Sequence, residues 1–355
     1  MRLTVVGTPG DRRVALFAAA CRRAGLAEPA LVPWRDVLLG RPFTVDGTLR
    51  VESPGEDAEV NALLRGPGDP ARVGGGARWY RTFRAGLERL RPYPSVSDID
   101  DIAVMFDKRA AHARLLAAGV PVPPALGPVA GYARLRARMA ERGWHRVFVK
   151  PAHGSSASGV IALRTAQGGA VRAQTSAARE GDGWYNALRV RTLDTEPEIA
   201  SLVDALAPDG LHVERWFAKA GLAQEGVRDG VGRVFDLRVV VVAGEPTHAV
   251  VRTAAVPMTN LHLGGRRGDL AAVRAAIPWA EAMDVCARAA SCFPGSTMVG
   301  VDLLVGVGMR RFAVAEVNAF GDLLPGLAGL PGTSAEGGDT YDAQVAAVLR
   351  APAGA

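Results

Sequence analysis

Short apolar runs and amphipathic stretches alternate along this chain, and their spacing predicts a mixed α and β protein. In the first 97 residues, short apolar runs indicate strands, and apolar positions that repeat every three to four residues indicate helices. The predicted elements are strands Leu3–Val6 and Ala30–Trp34, a hairpin over Phe43–Val51 that turns at Asp46-Gly47, and helices Arg12 to about Leu26 and Arg78–Leu90. This segment therefore predicts a small α/β domain.

The remainder of the chain predicts antiparallel hairpins separated by helices. The predicted helices are Ile99–Ala118, Tyr132–Arg142, Pro197–Leu206 and Trp279–Cys292. The predicted strands are Arg146–Lys150, Val160–Leu163, Leu211–Phe217, Val234–Val242, Thr247–Thr253, Met298–Val305 and Arg311–Val317. The polar stretch Thr165–Gly183 predicts a hairpin with a mobile insertion. Because strands and helices do not alternate in a regular series, the pattern indicates an α+β arrangement.

Length and composition narrow the class of protein. The 355 residues suffice for two domains, and a hydrophobic content of 48% can fill a sizeable core. No apolar run reaches the roughly 18 residues of a membrane span, and the N-terminus lacks the apolar stretch of a signal peptide. The three cysteines, Cys21, Cys286 and Cys292, lie in helical patterns. We therefore expect a cytoplasmic protein with no disulfide framework and no membrane partner.

Positive charge is concentrated in one part of the sequence. The net charge is +6, and the segment from Lys108 to Arg146 contains eight Lys or Arg residues and one acid, Glu141. Net charge alone is weak support for nucleic-acid binding, so we expect no nucleic-acid partner. Only three of the 42 basic residues are lysines, namely Lys108, Lys150 and Lys219. They are candidates for sites where a compact ammonium does what a planar guanidinium cannot.

A lysine followed by a loop of small residues forms the first candidate site. Lys150 ends a predicted strand, and the loop from His153 to Gly159 contains glycines and serines. An ammonium, backbone N–H groups and hydroxyls suit the phosphates of a nucleotide. The order is not that of a P-loop, because the lysine precedes the glycine-rich loop. Taken alone, the loop is equally compatible with an ordinary hairpin turn.

Acidic side chains on two neighbouring strands form the second candidate site. Asp302 lies on one predicted strand, and Glu316 and Asn318 lie two positions apart on the next, so the latter share a face. Carboxylate and amide oxygens are the ligands that Mg²⁺ prefers. The alternative is a set of strand acids held in salt bridges.

Charged residues on two apolar strands form the third candidate site. Asp236 and Arg238 share a face of one predicted strand, and Arg252 lies on the returning strand. Charges in such surroundings are costly unless they pair with a ligand or with each other. A structural Asp–Arg pair is the alternative here. The loop from Asn260 to Gly268 follows directly and is compatible with an exposed turn.

Together these segments resemble the ATP-grasp superfamily, in particular RimK-type glutamate ligases and bacterial glutathione synthetase. The resemblance runs from about residue 98 to 330 and depends on the order of several short motifs rather than on any one of them. In chain order they are Asp107-Lys108, Gly119–Pro123, Val149-Lys150-Pro151 with the glycine loop, Val213–Phe217, Asp236-x-Arg238, Arg252, Asn260–Gly265, Gly300-Val301-Asp302 and Glu316-x-Asn318. All three lysines fall inside this set.

The resemblance implies a fold and a role for each matched residue. It implies an α/β (α+β) chain with the ATP-grasp fold, in which a Rossmann-like lobe (1–97) precedes two α+β subdomains (98–217 and 218–350) that grip ATP. Lys108 and Lys150 would hold the α- and β-phosphates, under a lid of His153, Gly154, Ser155, Ser156, Ser158 and Gly159. Adenine would meet the backbone of Glu214, Arg215, Trp216 and Phe217, with Lys219 and Asn260 also at the nucleotide and Asp236 facing the ribose. Arg238 and Arg252 would clamp the γ-phosphate, and Asp302, Glu316 and Asn318 would hold two Mg²⁺ ions, with Mn²⁺ as an alternative.

The activity implied is ATP-dependent joining of a carboxylate to an amine through an acylphosphate, with release of ADP and phosphate. Alternatives are a ligase acting on a ribosomally made peptide, docked by the basic helix Arg78–Arg91, a small-molecule kinase, and a nucleotide-binding subunit without catalysis. The sequence departs from the family at His153, at Ala157 and over Ala319–Asp322, and residues 165–191 do not align. The partners expected are small-molecule or peptide substrates, and a homodimer is compatible with the sequence.

Overall fold

The computed structural model describes residues 1–55, 57–154, 157–166, 169–222, 232–321, 324 and 326–350. The helices are α1 (Arg12–Arg23), α2 (Trp34–Leu39), α3 (Ala58–Arg65), α4 (Gly76–Glu88), α5 (Ile99–Met105), α6 (Lys108–Ala117), α7 (Tyr132–Glu141), α8 (Glu196–Leu206), α9 (Leu270–Ala276), α10 (Trp279–Ser291) and α11 (Thr340–Arg350). The strands are β1 (Leu3–Gly7), β2 (Ala30–Pro33), β3 (Thr48–Val51), β4 (Arg146–Pro151), β5 (Ile161–Thr165), β6 (Val171–Glu180), β7 (Gly183–Leu193), β8 (Leu211–Arg215), β9 (Gly221–Leu222), β10 (Arg233–Val242), β11 (Glu245–Ala254), β12 (Arg266–Arg267), β13 (Met298–Val305) and β14 (Phe312–Asn318).

The first sheet is parallel and has the order β2-β1-β3. The hairpin predicted over Phe43–Val51 is wrong, because β3 runs parallel to β1, with Leu3 opposite Thr48. A turn does occur at Gly47, whose φ is +80° and where a Cβ atom would lie 2.1 Å from the carbonyl oxygen of Arg2. The turn therefore packs against the start of β1 and delivers the chain alongside it. Strand β1 is buried along its whole length, so pairing on both sides satisfies its backbone groups.

The second sheet is antiparallel in the order β7-β6-β5-β4-β8, and helices α7 and α8 pack together beside it. The predicted hairpin after Thr165 is present, but the stretch predicted as an insertion forms the two long strands β6 and β7. The polar sequences of these strands show little alternation of apolar and polar residues. In β7 this agrees with its place at the edge of the sheet, where one face is exposed.

The third sheet is antiparallel in the order β12-β11-β10-β13-β14, with β9 beside β10. The inner strand β13 is buried at every position, which explains the continuous Val and Leu run of its sequence. The register places Asp236 opposite Arg252, Arg238 opposite Asp302 and Asp302 opposite Glu316. The charged residues of the second and third candidate sites therefore form one row across four strands.

The single helix predicted over Ile99–Ala118 is wrong, because the structure divides it into α5 and α6 at Phe106-Asp107. The Asp107 carboxylate accepts hydrogen bonds from the backbone N–H groups of Arg109 and Ala110, at 2.9 and 3.4 Å, and so caps a new helix. The break makes Lys108 the first residue of α6. Its backbone N–H donates to the carbonyl of Ala152 at 3.0 Å, which attaches the helix start to the segment after β4.

The first and last elements of the chain share a core. Helix α11 packs on α1, and Leu3, Phe17, Tyr341, Val345 and Val348 belong to one buried cluster. Helices α2, α3, α9 and α11 were not predicted, and Trp34 begins α2 rather than ending a strand. Across the described ranges, no helix is both long and apolar enough to span a bilayer.

Candidate active site

A cleft between the second and third sheets encloses a cavity of about 270 Å³. Arg13 of α1 and Ser53, which follows β3, complete one wall. Most of the residues that the sequence analysis assigned to a site line this cleft. They are Lys108, Lys150, Gly154, Ser158, Glu214, Arg215, Phe217, Lys219, Asp236, Arg238, Arg252, Asn260, Asp302, Glu316 and Asn318.

Three of the predicted site residues pack against other residues and do not line the cleft. The His153 ring stacks on Tyr80, with ring centroids 4.1 Å apart, and Trp216 packs against Phe148. Gly159 has a φ of +64°, and a Cβ atom there would lie 2.9 Å from Val73. Ser155 and Ser156, which the sequence analysis placed in the lid, lie outside the described residues.

Lys108 joins the helical side of the cleft to the last strand. Its ammonium donates to the Gly154 carbonyl at 2.6 Å and to Glu316 Oε1 at 2.8 Å. Burial alone would raise the pKa of Glu316, but nearby cations, with Lys108 the foremost, hold it below its usual value. Glu316 is therefore ionised and paired in this structure.

Lys150 is held by a buried carboxylate and a histidine that the sequence analysis did not select. Its ammonium lies 2.6 Å from Glu214 Oε2, and His212 Nε2 lies 2.8 Å from Glu214 Oε1. Lys150 and His212 are opposite each other on β4 and β8, and Glu214 follows His212 by two positions on the same face. The alternation of β8 could have indicated this triad, but only the pairing of β8 with β4 brings it to the lysine.

The pH dependence of stability should reveal this triad. Burial alone would raise the pKa of Glu214, but Lys150 and His212 lower it from 4.5 to about 2. The carboxylate therefore stabilises the fold above pH 4.5, and this contribution is lost as the pH falls from 4.5 towards 2. Urea unfolding at several pH values between 6 and 3 should show a loss of about 2 kcal/mol, because only the part of the window from pH 4.5 to 3 is sampled, and this loss should be missing in Glu214→Gln. Identical pH dependence in the two proteins would contradict the assignment.

Asp236, Arg238, Arg252 and Asp302 form a continuous network on the floor of the cleft. Arg252 donates from Nε to Asp236 at 2.8 Å and from Nη2 to Asp302 at 3.0 Å. Arg238 donates from Nε and Nη2 to the two oxygens of Asp302. Burial would raise the pKa of Asp236, but Arg252 and Lys219 hold it well below its usual range. Both carboxylates are therefore bound by guanidinium groups in this structure.

Lys219 and Thr259 complete the network around Asp236. The Lys219 ammonium donates to Asp236 Oδ2 at 3.1 Å and to the Thr259 hydroxyl at 2.8 Å, and that hydroxyl donates to the same Asp236 oxygen. Burial lowers the pKa of Lys219 although Asp236 opposes the shift. The sequence analysis placed Lys219 near adenine and overlooked Thr259, whereas the structure joins both to Asp236.

The residues proposed for metal binding have the right chemistry and the right register. Asp302 and Glu316 are opposite each other on β13 and β14, and Asn318 is opposite Gly300, to whose carbonyl its Nδ2 donates at 3.3 Å. The Asn318 amide oxygen is therefore the end available to a cation. No group of three His, Cys, Asp or Glu side chains in the described ranges could hold a metal ion. This set fits a Mg²⁺ ion that takes its remaining ligands from phosphate oxygens, provided that Arg238 releases Asp302.

Part of the backbone of the segment predicted to bind adenine is already hydrogen-bonded to other residues of the protein. The N–H of Arg215 donates to Pro124 at 2.7 Å, and the N–H of Trp216 donates to Arg146 at 3.0 Å. Arg215 and Phe217 nevertheless line the cleft. Contacts to a base here would therefore come from carbonyl groups and from the Phe217 end of the segment.

Comparison with known proteins identifies the fold. No protein-family model matches the chain, and no curated protein matches it. Among solved structures, it is similar to D-cycloserine synthetase DcsG, with a TM-score of 0.58, 18% identity and 98% of each chain covered. It is also similar to the ATP-grasp ligase PsnB in complex with its minimal precursor (TM-score 0.56, 17% identity, 99% of each chain). A third similar structure is N5-carboxyaminoimidazole synthase from Aspergillus clavatus (TM-score 0.55, 13% identity, 99% of this chain and 77% of the other). These similarities confirm the predicted fold class: the chain has the ATP-grasp fold.

Proposed function

We propose that this protein is an ATP-dependent carboxylate–amine ligase that works through an acylphosphate and releases ADP and phosphate. One observation carries the proposal: lysines, arginines and carboxylates from both antiparallel sheets converge on a single cleft in a fold shared with D-cycloserine synthetase and PsnB. The known activities of those proteins support the reaction class. They do not identify the substrates of this chain.

In this proposal the cleft cations exchange their partners when ATP binds. Lys108 and Lys150 leave Glu316 and Glu214 for the α- and β-phosphates, and Arg238 and Arg252 turn towards the γ-phosphate. Asp302, Glu316 and Asn318 then become free to hold Mg²⁺, which neutralises phosphate charge. The ion pairs of the cleft thus hold these groups close to their proposed places of action. The segment Glu214–Phe217 with Asn260 would bind the rest of the nucleotide, and residues 153–159 would cover the triphosphate.

Two arginines beside the γ-phosphate favour a carboxylate as the attacking group. A carboxylate and a phosphate repel each other on approach, and guanidinium groups offset that repulsion in the transition state. A kinase that phosphorylates a hydroxyl would need a general base. Among the described residues that line the cleft there is no histidine; in this proposal Asp302 and Glu316 hold the metal, Glu214 keeps His212 and Asp236 keeps Lys219. We therefore prefer the ligase to the kinase.

Trapping with hydroxylamine tests the reaction type. Carboxylate, ATP and hydroxylamine should yield a hydroxamate, ADP and phosphate in equal amounts, because hydroxylamine displaces phosphate from the acylphosphate. Coloured hydroxamate–iron complexes and ADP would be measured over a panel of acids. Formation of AMP and pyrophosphate, or of a stable phosphorylated alcohol without hydroxamate, would replace the ligase with adenylation or kinase chemistry.

A ligase acting on a ribosomally made peptide is the second candidate. The similar protein PsnB has been solved with a precursor peptide. Helix α4 carries exposed Arg78, Arg81 and Arg84, on which an acidic peptide could dock, whereas Arg91 beyond it is bound to Glu88 and Asp100. If acidic peptides, but no free acids, support ADP release, this candidate replaces the first.

The finer assignments belong to the same proposal. We place the chain in the RimK-type branch on its motif order, with boundaries at 1–97, 98–217 and 218–350. The sheets support these boundaries, since β1–β3, β4–β8 and β9–β14 fall in the three segments respectively.

A further inference from the structure

The N-terminal segment contributes two side chains to the wall of the cleft, from the parts of the chain that follow β1 and β3. Arg13 lies at the start of α1, just after β1, and Ser53 lies just after β3. Both line the same cleft as Arg238 and Asn318. Because β1 and β3 are parallel, their carboxyl ends meet at one edge of the sheet, where α/β proteins commonly bind ligands.

The two turns are fixed to each other. The Thr8 hydroxyl donates to the Pro54 carbonyl at 2.6 Å, and the Arg13 N–H donates to Asp11 Oδ1 at 2.7 Å. Gly55 has a φ of +74°, and a Cβ atom there would lie 2.7 Å from Asp11 Oδ2. Arg13 and Ser53 are therefore presented to the cleft by a close-packed pair of turns.

Arg13 differs from the three lysines of the cleft in having no carboxylate partner among the described residues. Its partly buried side chain makes no hydrogen bond or ion pair with any residue in the described ranges, because Asp11 caps the backbone instead. By contrast, Lys108, Lys150 and Lys219 each contact a carboxylate. Arg215 is also without an ion pair among these residues, but its side chain is exposed at the end of β8. A partly desolvated guanidinium in a cleft is stabilised when an anion reaches it.

We propose that Arg13, together with the Ser53 hydroxyl, binds a second anionic group of the acid substrate. The substrate would then be an acid that carries a carboxylate or a phosphate-type group in addition to the carboxylate that reacts. This inference rests on the proposed ligase function and names its substrate class. Ser53 Oγ accepts from the Gly55 N–H at 3.3 Å, which leaves the hydroxyl hydrogen to donate to the anion.

Three acids of matched length separate the possibilities: succinate, 3-phosphonopropionate and butyrate, each with ATP, Mg²⁺ and hydroxylamine. The full-length protein should form hydroxamate and ADP from one of the two doubly anionic acids at a kcat/KM at least about tenfold above that for butyrate. Preference for succinate indicates a carboxylate as the second anion, and preference for 3-phosphonopropionate indicates a phosphate-type group. Equal or better use of butyrate overturns the inference.

Variants at Arg13 show whether this residue causes the preference. Arg13→Met should raise KM for the doubly anionic acid about tenfold or more and leave both KM for ATP and the use of butyrate unchanged. Arg13→Lys should recover part of the loss. The matched control is Arg12→Met, which removes an exposed arginine of the same helix turn that does not line the cleft. An Arg13→Met variant with the wild-type preference contradicts the assignment.

A binding measurement with the doubly anionic acids distinguishes failure of the anion-site inference from failure of the ligase proposal. If no acid yields hydroxamate, the ligase proposal fails, and calorimetric binding of succinate and 3-phosphonopropionate then decides the anion site. Tighter binding to wild type than to Arg13→Met supports the site without the reaction. Equal binding to the two proteins overturns it.

Discussion

Replacing Glu316 with glutamine should lower the rate of ADP formation by about 100-fold or more while the apo protein keeps nearly its wild-type melting temperature. The substitution preserves shape but removes one of the two opposed carboxylates proposed to hold Mg²⁺. Lys108 retains its hydrogen bond to the Gly154 carbonyl, and the oxygen of the introduced amide can still accept from the ammonium, so the loss of stability is limited. Steady-state assays over a range of Mg²⁺ concentrations, with differential scanning calorimetry, provide the measurement.

The matched control for Glu316→Gln is Glu196→Gln, which breaks the ion pair with Arg136 outside the cleft. That variant should retain full activity. A purely structural role for Glu316 predicts a different pattern, namely a clear drop in the apo melting temperature with a proportionate, modest loss of activity. Such a result would restore the salt-bridge alternative for the acids of β13 and β14.

Replacing Arg252 with alanine should abolish hydroxamate formation, by at least about 100-fold, while the affinity for ATP changes by less than about threefold. Arg252 contacts the two buried acids at the site proposed for the γ-phosphate, whereas the lysines proposed to bind ATP, Lys108 and Lys150, lie on other elements and are retained. Calorimetric titration with ATP and the hydroxamate assay measure the two properties separately. A parallel loss of ATP affinity and activity would place Arg252 in nucleotide binding alone.

Stability must be controlled for in this experiment, because removal of one partner from a buried ion pair costs about 3–5 kcal/mol. Asp236 would retain Lys219 and Thr259, and Asp302 would retain Arg238, which limits the loss. Arg252→Lys keeps the positive charge but not the two-pronged contact, so it should fold well and still lose most of the trapping activity. Arg233→Ala, which removes bonds to Thr253 on the neighbouring strand, is the control and should remain active.

The sequence predicted the composition of the cleft better than its internal contacts. Alternation along a strand places Asp236 with Arg238, and Glu316 with Asn318, on common faces, and the ordered motifs selected most of the lining residues. Alternation shows which face of a strand a residue occupies, but it does not show which residue lies opposite on the next strand. The sequence alone therefore could not predict that Arg252 contacts both Asp236 and Asp302. His212, Thr259 and Arg13 escaped selection for a related reason: each acquires its environment from an element that is distant in the chain.

The errors in the predicted elements have specific physical causes. The apolar periodicity continues across Phe106-Asp107, so it could not show that Asp107 caps a second helix, although an Asp before Lys108 is itself a capping signal. At Asp46-Gly47 the turn signal was correct, but tertiary pairing with β1 prevailed over the local hairpin. The sequences of β6 and β7 are polar and therefore resemble a loop, although only β7 lies at the edge of the sheet and the middle of β6 is buried.

The shared core of α1 and α11 has a consequence for the order in which the protein can mature during synthesis. The first 97 residues are synthesised well before Tyr341, Val345 and Val348. Part of the apolar surface of the N-terminal sheet is therefore uncovered during that interval. Formation of the cleft is delayed for the same reason, because Lys108 and Glu316 are separated by 208 positions in the chain. Nascent chains therefore expose apolar surface of the N-terminal segment until α11 has been synthesised, and this surface is prone to aggregation during that interval.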